Sequence, residues 1–379
     1  MSRRHGARTR KLGAIIVPSA GRGPARSLRS VASETAGRRS RARVSDVAAA
    51  AGVSQTTVSH ALSGARAVNA ETRERILSVA RELGYVPDRV ASGLRRRRTG
   101  VVGLIGDDLA TTPFAGRIIE GARRAGLEHD VLLMVAESGG DANAERDLVE
   151  RFLAQRVDGL LIARMYHQRV DRPAVPEDFP VVLVDAAPER GWNVDAVVPD
   201  EAQIATLACD RLAREGHREI AYVGTVDESR AARGRLIGVR SALGDVGIAL
   251  GEGRLAFCAS DAVGGRQAGA ELLDQDVPPT AIICFNDQIA MGVMQAAARR
   301  GVLVPSGLSI IGIDDLHPVA DALDPALTTI ALPHAEMGRW GMDRLLERID
   351  GTPPPVEEGP HLLRGWLVER ESVAPPPGR

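Results

Sequence analysis

The chain has 379 residues, enough for two or three domains, and a net charge of −1 that conceals an asymmetry. Residues 1–100 hold 21 Lys/Arg against 6 Asp/Glu and the remainder 27 against 43, so a basic front suited to a polyanion precedes an acidic body that avoids one. Three scattered cysteines without C-x-x-C spacing argue against a disulfide framework or a zinc site and fit a reducing cytosol, and no apolar run approaches a membrane span.

Residues 1–41 are rich in Arg, Gly, Ser and Ala and lack periodicity, which reads as a disordered basic arm or as an upstream extension. Lys11 is the only lysine, so part of the Arg richness reflects coding bias. Next, Val44, Val47, Ala48 and Ala51 fall at i, i+3, i+4 and i+7, the apolar face of a short helix. Gly52 supplies the turn and Ser54 caps a second helix. There Val58, Ala61 and Leu62 face inward, while Gln55, Thr56, Ser59 and His60 share the outer side. A third helix opens at Asn69, places Ile76, Val79, Ala80 and Leu83 at core spacing, and stops at Gly84 and Pro87. Two short helices across a Gly-containing turn form a helix-turn-helix. Its outer face suits DNA: Ser54 and Thr57 can hold phosphate, Gln55 can pair with adenine, Thr56 can meet a thymine methyl, and His60 lies one turn on. The alternative is a solvated polar face on an ordinary helical hairpin.

Residues 85–100 decide between these. The pieces D46-V-A-x-x-A-G-V-S, T57-V-S, E71-T-R-E-R-I, L83-G-Y-x-P and R89-V-A-x-x-L, in this order, resemble the DNA-binding head and hinge of the lactose-repressor (LacI/GalR) family of bacterial transcription regulators. The resemblance implies that Gln55, Thr56 and His60 read bases and that Leu94 enters the minor groove as an apolar wedge. Arg95 to Arg98 would follow the phosphates. A wedge of this kind unstacks a base step and bends the duplex; without the resemblance, Leu94 would be read as packing on a neighbour. Two positions depart from the family pattern. Arg43 stands where a Thr usually caps the first helix, so Ser45 takes over the cap or the start frays. His60 stands where Arg is common, which leaves base preference there open and allows some pH dependence.

From Val101 the pattern alternates between strands and helices: V101-V-G-L-I, a helix over 114–127, V131-L-L-M-V, a helix over 142–155, V157-D-G-L-L-I and V181-V-L-V-D. It continues with a helix over 202–214, I220-A-Y-V, helices over 233–243 and 264–273, A281-I-I-C, a helix over 287–300, S309-I-I-G-I and a helix over 334–349. Such alternation implies parallel sheets covered on both faces, and the number of strands implies two lobes with a cleft between them. R156-V-D-G-L-L-I, E215-G-H-R-E-I-A-Y-V-G, R233-G-R-L-x-G, F285-N-D-Q-I-A-M-G, V304-P-x-x-L-S-I-I-G-I-D-D and L327-T-T-I resemble the same family's effector domain. That domain is similar to periplasmic sugar-binding proteins: two Rossmann-like lobes, three crossings, and a ligand between them.

Ligands in open α/β sheets sit beyond the carboxyl ends of strands, where Asp185, Asn286 and Asp314 lie. The resemblance places effector contacts at Phe114, Asp185, Arg235, Asn286 and Asp314. The competing role for the Asp and Asn residues is helix N-capping, which suits Asp287 best, and for Arg235 a surface position. Around Ser260 the family often supplies a stacking aromatic ring, absent here. With aromatic residues at 3%, stacking on a sugar is expected to be sparse. Asp314, Asp315 and His317 are close enough to suggest a metal site, but without further ligands at partner spacing they read as a capped loop. No catalytic motif appears, and Lys11 as sole lysine excludes a P-loop or Schiff-base chemistry. The expected architecture is a disordered arm (1–41), an all-α helix-turn-helix head (42–87), a hinge helix and linker (88–99), a bilobed α/β effector and dimerisation domain (100–372) and a Pro-rich tail (373–379). The expected protein is a cytoplasmic, homodimeric, non-enzymatic repressor without cofactor. It binds a pseudo-palindromic double-stranded operator and is modulated by a sugar or related polar metabolite. The alternative is a solute-binding protein without DNA function.

Overall fold

A computed structural model describes residues 42–63, 66–85 and 98–378. The arm, the hinge segment, Leu94 and Arg95 lie outside the described residues. Two compact units are present, one before residue 88 and one after it.

The first unit is three helices: α1 (Val44–Ala51), α2 (Gln55–Ser63) and α3 (Ala70–Glu82). Val47, Ala48 and Ala51 of α1 meet Val58 and Ala61 of α2 and Ile76 and Ala80 of α3 in one small core. Gly52 ends α1 at φ +65°, a left-handed turn that favours glycine, and the following Val53 N–H closes onto the Ala48 carbonyl at 3.0 Å. The start of α1 is held from inside the helix. Neither the Arg43 nor the Ser45 side chain caps it; the Asp46 carboxylate accepts the Arg43 N–H at 2.7 Å. Ser54 Oγ accepts the Thr57 N–H at 3.0 Å, so the expected cap on α2 forms, and Asn69, at the expected opening of the third helix, caps α3 by accepting the Glu71 N–H at 3.0 Å. Leu83 departs from expectation. It follows the last turn of α3 and is 42% exposed rather than in the core.

The second unit holds two six-stranded sheets. The first lobe uses β1 (Val101–Gly106), β2 (Leu132–Glu137), β3 (Leu160–Val170), β4 (Val181–Pro188), β5 (Asp195–Pro199) and β11 (His361–Leu363), in the order β11-β5-β4-β3-β1-β2. The second uses β6 (Ile220–Thr225), β7 (Leu255–Cys258), β8 (Ala281–Cys284), β9 (Ser309–Asp314), β10 (Thr329–Ala331) and β12 (Trp366–Val368), in the order β12-β10-β9-β8-β6-β7. Pairing is parallel throughout except for β10 with β12. The central strands are apolar without alternation, because helices cover both faces of each sheet. Those helices are α4 (Ala115–Glu128), α5 (Ala142–Ala154), α6 (Glu201–Arg214), α7 (Arg230–Asp245), α8 (Ala262–Leu273), α9 (Asp287–Arg299), the short α10 (Val319–Ala322) and α11 (His334–Asp350).

The chain passes between the lobes three times, from β5 to α6, from β10 to α11 and from β11 to β12. Two passages are tied together: Gln203 donates to the Gly365 carbonyl at 3.1 Å and accepts the Gly365 N–H at 3.0 Å, while the Asp200 N–H reaches the Leu363 carbonyl at 2.8 Å. β3 is longer than expected. It runs on past Ile162 to Val170 through an irregularity between Ala163 and Gln168 in its pairing with β4.

Candidate ligand cleft and nucleic-acid face

Phe114, Asp185, Arg235, Asn286 and Asp314, taken from distant parts of the sequence, line one cleft between the lobes. Phe114 precedes α4, Asp185 lies near the carboxyl end of β4, and both come from the first lobe. Arg235 projects from α7, Asn286 follows β8 and Asp314 ends β9, all in the second. Asp185 and Asp314 take φ of +51° and +117°. Non-glycine residues seldom adopt such backbone, which costs about 1–3 kcal/mol and collects at functional sites.

Arg235 is 4% exposed and held on three sides. Nε donates to Glu201 at 2.7 Å, a terminal nitrogen donates to the Phe285 carbonyl at 2.7 Å, and the guanidinium lies 4.5 Å from the Phe285 ring centre. Burial opposes its charge, but the Glu201 carboxylate beside it keeps it protonated. The R233-G-R-L-x-G motif explains how α7 comes this close to α6. A Cβ on Gly234 would stand 2.9 Å from Glu201 Cβ, and one on Gly238 would stand 2.7 Å from Ala205 Cβ.

The carboxyls of the cleft are perturbed. Burial pushes Asp314 up to about 8 against the pull of Arg235. Asp185 lies well above the usual carboxylate range, because it is buried and feels the Glu201 charge. Glu201 is raised by burial and opposed by Arg235. His334, stacked on Phe114 with ring centres 4.2 Å apart, is driven down to about 3 by burial and so stays neutral.

Capping divides between neighbours differently from the sequence reading. Asn286, not Asp287, caps α9: its Oδ1 accepts the Ile289 N–H at 2.8 Å, and its Nδ2 donates to the Ser260 carbonyl at 3.3 Å. Asn286 therefore both caps a helix and lines the cleft. Asp287 is fully buried and braces the β9–β10 end, accepting the Leu316 N–H at 2.7 Å and the Thr329 hydroxyl at 2.6 Å. Asp315 pairs with Arg370 at 2.7 Å and His317 with Asp321 at 3.0 Å, so these two are engaged separately.

Aromatic rings are less sparse at the cleft than the composition implied. Of five Phe and three Tyr in the chain, Phe114, Phe285 and Tyr166 line it. The Ser260 hydroxyl instead lies 2.8 Å from the Thr225 hydroxyl and 2.9 Å from the Asp227 carboxylate.

On the head, α2 exposes Gln55 and Thr56 and leaves Ser59 and His60 half-exposed beside them, while Val58 and Ala61 are buried. The Ser54 and Thr57 hydroxyls are 2.8 Å apart, at the amino end of the helix. Neutral hydroxyls and helix-terminal N–H groups in this position suit a phosphate.

Residues 99–364 match the model for periplasmic binding proteins and the sugar binding domain of the LacI family, and residues 43–88 match that for bacterial regulatory proteins of the lacI family. The chain belongs to the LacI family. LacI-family relatives include the ribose operon repressor of Haemophilus influenzae, 33% identical over 88% of this chain and 98% of that protein. The HTH-type transcriptional repressor PurR of Erwinia tasmaniensis is 32% identical over 89% of this chain and 98% of its own. Among solved structures, the lac repressor dimer bound to operator and the anti-inducer ONPF superposes with a TM-score of 0.71 at 27% identity, covering 88% of this chain and all of that one. A complex of the transcriptional regulator CelR with cellobiose gives 0.62 at 28%, with the same coverage. Like these relatives, the chain is a DNA-binding transcription regulator, with a helix-turn-helix head and a two-lobed effector domain.

Among the cleft residues of this LacI-family chain that escaped the sequence reading are Glu201 and His334 at two of the crossings, Tyr166 within β3 and Phe285 just after β8. Glu201 carried one usable signal, an acidic residue opening a helix directly after a short strand. Its role depends on Arg235, thirty-four positions away, and spacing alone cannot show that.

Proposed function

We propose that this regulator is a repressor that acts as a homodimer on a pseudo-palindromic operator in the cytoplasm, and that it has no catalytic activity. Gln55, Thr56 and His60 read base edges, with Ser59 on the same face against the DNA, while Ser54 and Thr57 seat the phosphate at the start of α2. Leu94 acts as the minor-groove wedge and Arg95 contacts phosphate beside it. A hydroxyl-rich small molecule, a sugar or a related polar metabolite, binds among Phe114, Asp185, Arg235, Asn286 and Asp314. The observation that carries this reading is the convergence of those five side chains from both lobes onto one cleft. A ligand touching both lobes changes how they close on each other, and so biases hinge pairing over the minor groove. Coupling of this kind is worth about 1–3 kcal/mol and acts reciprocally on DNA and ligand. Residues 42–85 weigh against a solute-binding protein without DNA function, because a folded helix-turn-helix head has no use in one. Protection of genomic fragments by the purified protein, with and without candidate metabolites, tests the proposal. Protected fragments that share a two-fold-related sequence, and a ligand that alters the protection, are the expected result; uniform weak protection would refute it.

A further inference from the structure

The charges inside the cleft do not balance. Asp185, Glu201 and Asp314 line it, and Arg235 is the one arginine among the lining residues described. Glu201 already occupies Arg235 at 2.7 Å. The nearby cations are engaged outside the lining: Arg117 lies 3.9 Å from Asp315, Arg164 is 2.6 Å from Glu145, and Arg230 donates to His167 at 3.3 Å. His334, the one imidazole in the lining, stays neutral. Asp185 and Asp314 therefore feel Arg235 only at a distance, and among the described residues neither forms an ion pair.

Glu201 supplies the second observation. It is 7% exposed, one oxygen holds Arg235, and the other has no hydrogen-bond partner although it is fully enclosed. An orphaned acceptor at this depth carries a desolvation penalty that a donor brought from outside would offset. A neutral hydroxyl could satisfy the hydrogen bond but would do nothing to favour the charged form of the buried carboxyls. An ammonium does both, with three donors and a positive charge. Burial raises both Asp185 and Asp314, so each carboxyl favours its neutral form unless a cation is brought beside it.

Building on the ligand cleft proposed above, we infer that the effector is a hydroxylated amine, such as an amino sugar or an amino polyol. Its ammonium group is seated among Asp185, Glu201 and Asp314, and its hydroxyls face Asn286 and the aromatic rings. On the same grounds the cleft rejects anionic ligands, such as sugar acids and sugar phosphates. Arg235, the cation such ligands would need, is already neutralised by Glu201.

The test is calorimetric titration of the full chain with matched series. Glucose, glucosamine, N-acetylglucosamine and glucuronate form one; sorbitol and 1-amino-1-deoxysorbitol form the other. At least one amine should bind tenfold or more tightly than both its hydroxyl parent and its acetylated counterpart, and glucuronate should not bind. Titration in two buffers of different ionisation heat should show proton release on amine binding. Asp185→Asn and Glu201→Gln, each nearly isosteric and checked for folding by circular dichroism, should shrink the amine preference at least tenfold. If neutral parents bind as well as amines, or no amine exceeds its parent, the amine assignment is overturned, although the cleft still stands as the ligand site. If no member of either series binds, the amine assignment fails. If fragment protection also responds to no metabolite, the ligand cleft fails with it.

Discussion

Replacing Arg235 with Met probes the construction of the cleft directly. The substitution removes the 2.7 Å pair with Glu201 and the 2.7 Å bond to the Phe285 carbonyl, and leaves the packing volume nearly unchanged. Glu201, 93% buried and already missing a partner on one oxygen, is then a buried carboxylate without a cation. Breaking such a pair from one side costs about 3–5 kcal/mol, whereas replacing both partners by apolar groups is often close to neutral. At pH 7 we expect Arg235→Met to lose about 3–5 kcal/mol in urea titration and Arg235→Met/Glu201→Leu to recover most of it. The deficit should also shrink on acidification. Burial raises the Glu201 pKa above its ordinary 4.5, and loss of Arg235 raises it further. The native state therefore holds the proton more tightly than the unfolded chain, so the stability deficit grows as pH rises through the folded pKa and fades below it. A loss under about 1 kcal/mol, or a double variant as unstable as the single, would refute a charge-paired cleft.

In the unliganded protein, Asp314 is pushed up to about 8 by burial, with Arg235 and Arg117 opposing and Asp287 and Glu201 reinforcing. Its contribution to stability should fall as pH rises from about 4 to about 8, so the melting temperature of wild type should drop relative to Asp314→Asn over that interval; parallel curves would remove the assignment. Gly238→Ala places a methyl 2.7 Å from Ala205 Cβ and should destabilise the second unit by about 1–3 kcal/mol in urea; a neutral result would mean that α6 and α7 are not packed this closely. Ser54→Ala removes the cap on α2 and should cost about 1 kcal/mol of head stability by hydrogen exchange of α2 amides, with no change expected in the second unit. Leu94→Ala should weaken operator binding at least tenfold in an anisotropy titration while non-specific binding persists, and an unchanged operator affinity would count against the wedge.

Much of the fold could be read from the sequence because its signals are local. The 3.6-residue spacing of Val47, Ala48 and Ala51 and the caps at Ser54 and Asn69 define the head, and apolar runs such as A281-I-I-C define central strands. Apart from β5, five buried residues inside the first sheet, the strands that went unread are short or lie at edges. β10, β11 and β12 have three residues each, and β7 leaves Phe257 half-exposed, so neither run length nor alternation marks them. Strand-end position was enough to locate Asp185 and Asp314 in the cleft. It could not separate the cap from the brace at Asn286 and Asp287, because that choice depends on where β10 and Ser260 come to lie. Glu201 and His334 were hidden for the same reason. Each opens a helix at a lobe crossing, and only the folded chain turns it toward Arg235 or Phe114.

The central claim is sequence-specific DNA binding under the control of a cleft ligand. It is tested most directly by titrating the purified protein into a protected genomic fragment and a scrambled duplex across a salt series, with and without the ligand found by calorimetry. The account predicts affinity for the protected fragment at least a thousandfold above the scrambled one, a steep fall with salt on both, and a ligand-dependent shift of about 5–150-fold on the specific fragment. Equal affinity for both duplexes at every salt concentration, unmoved by ligand, would contradict it.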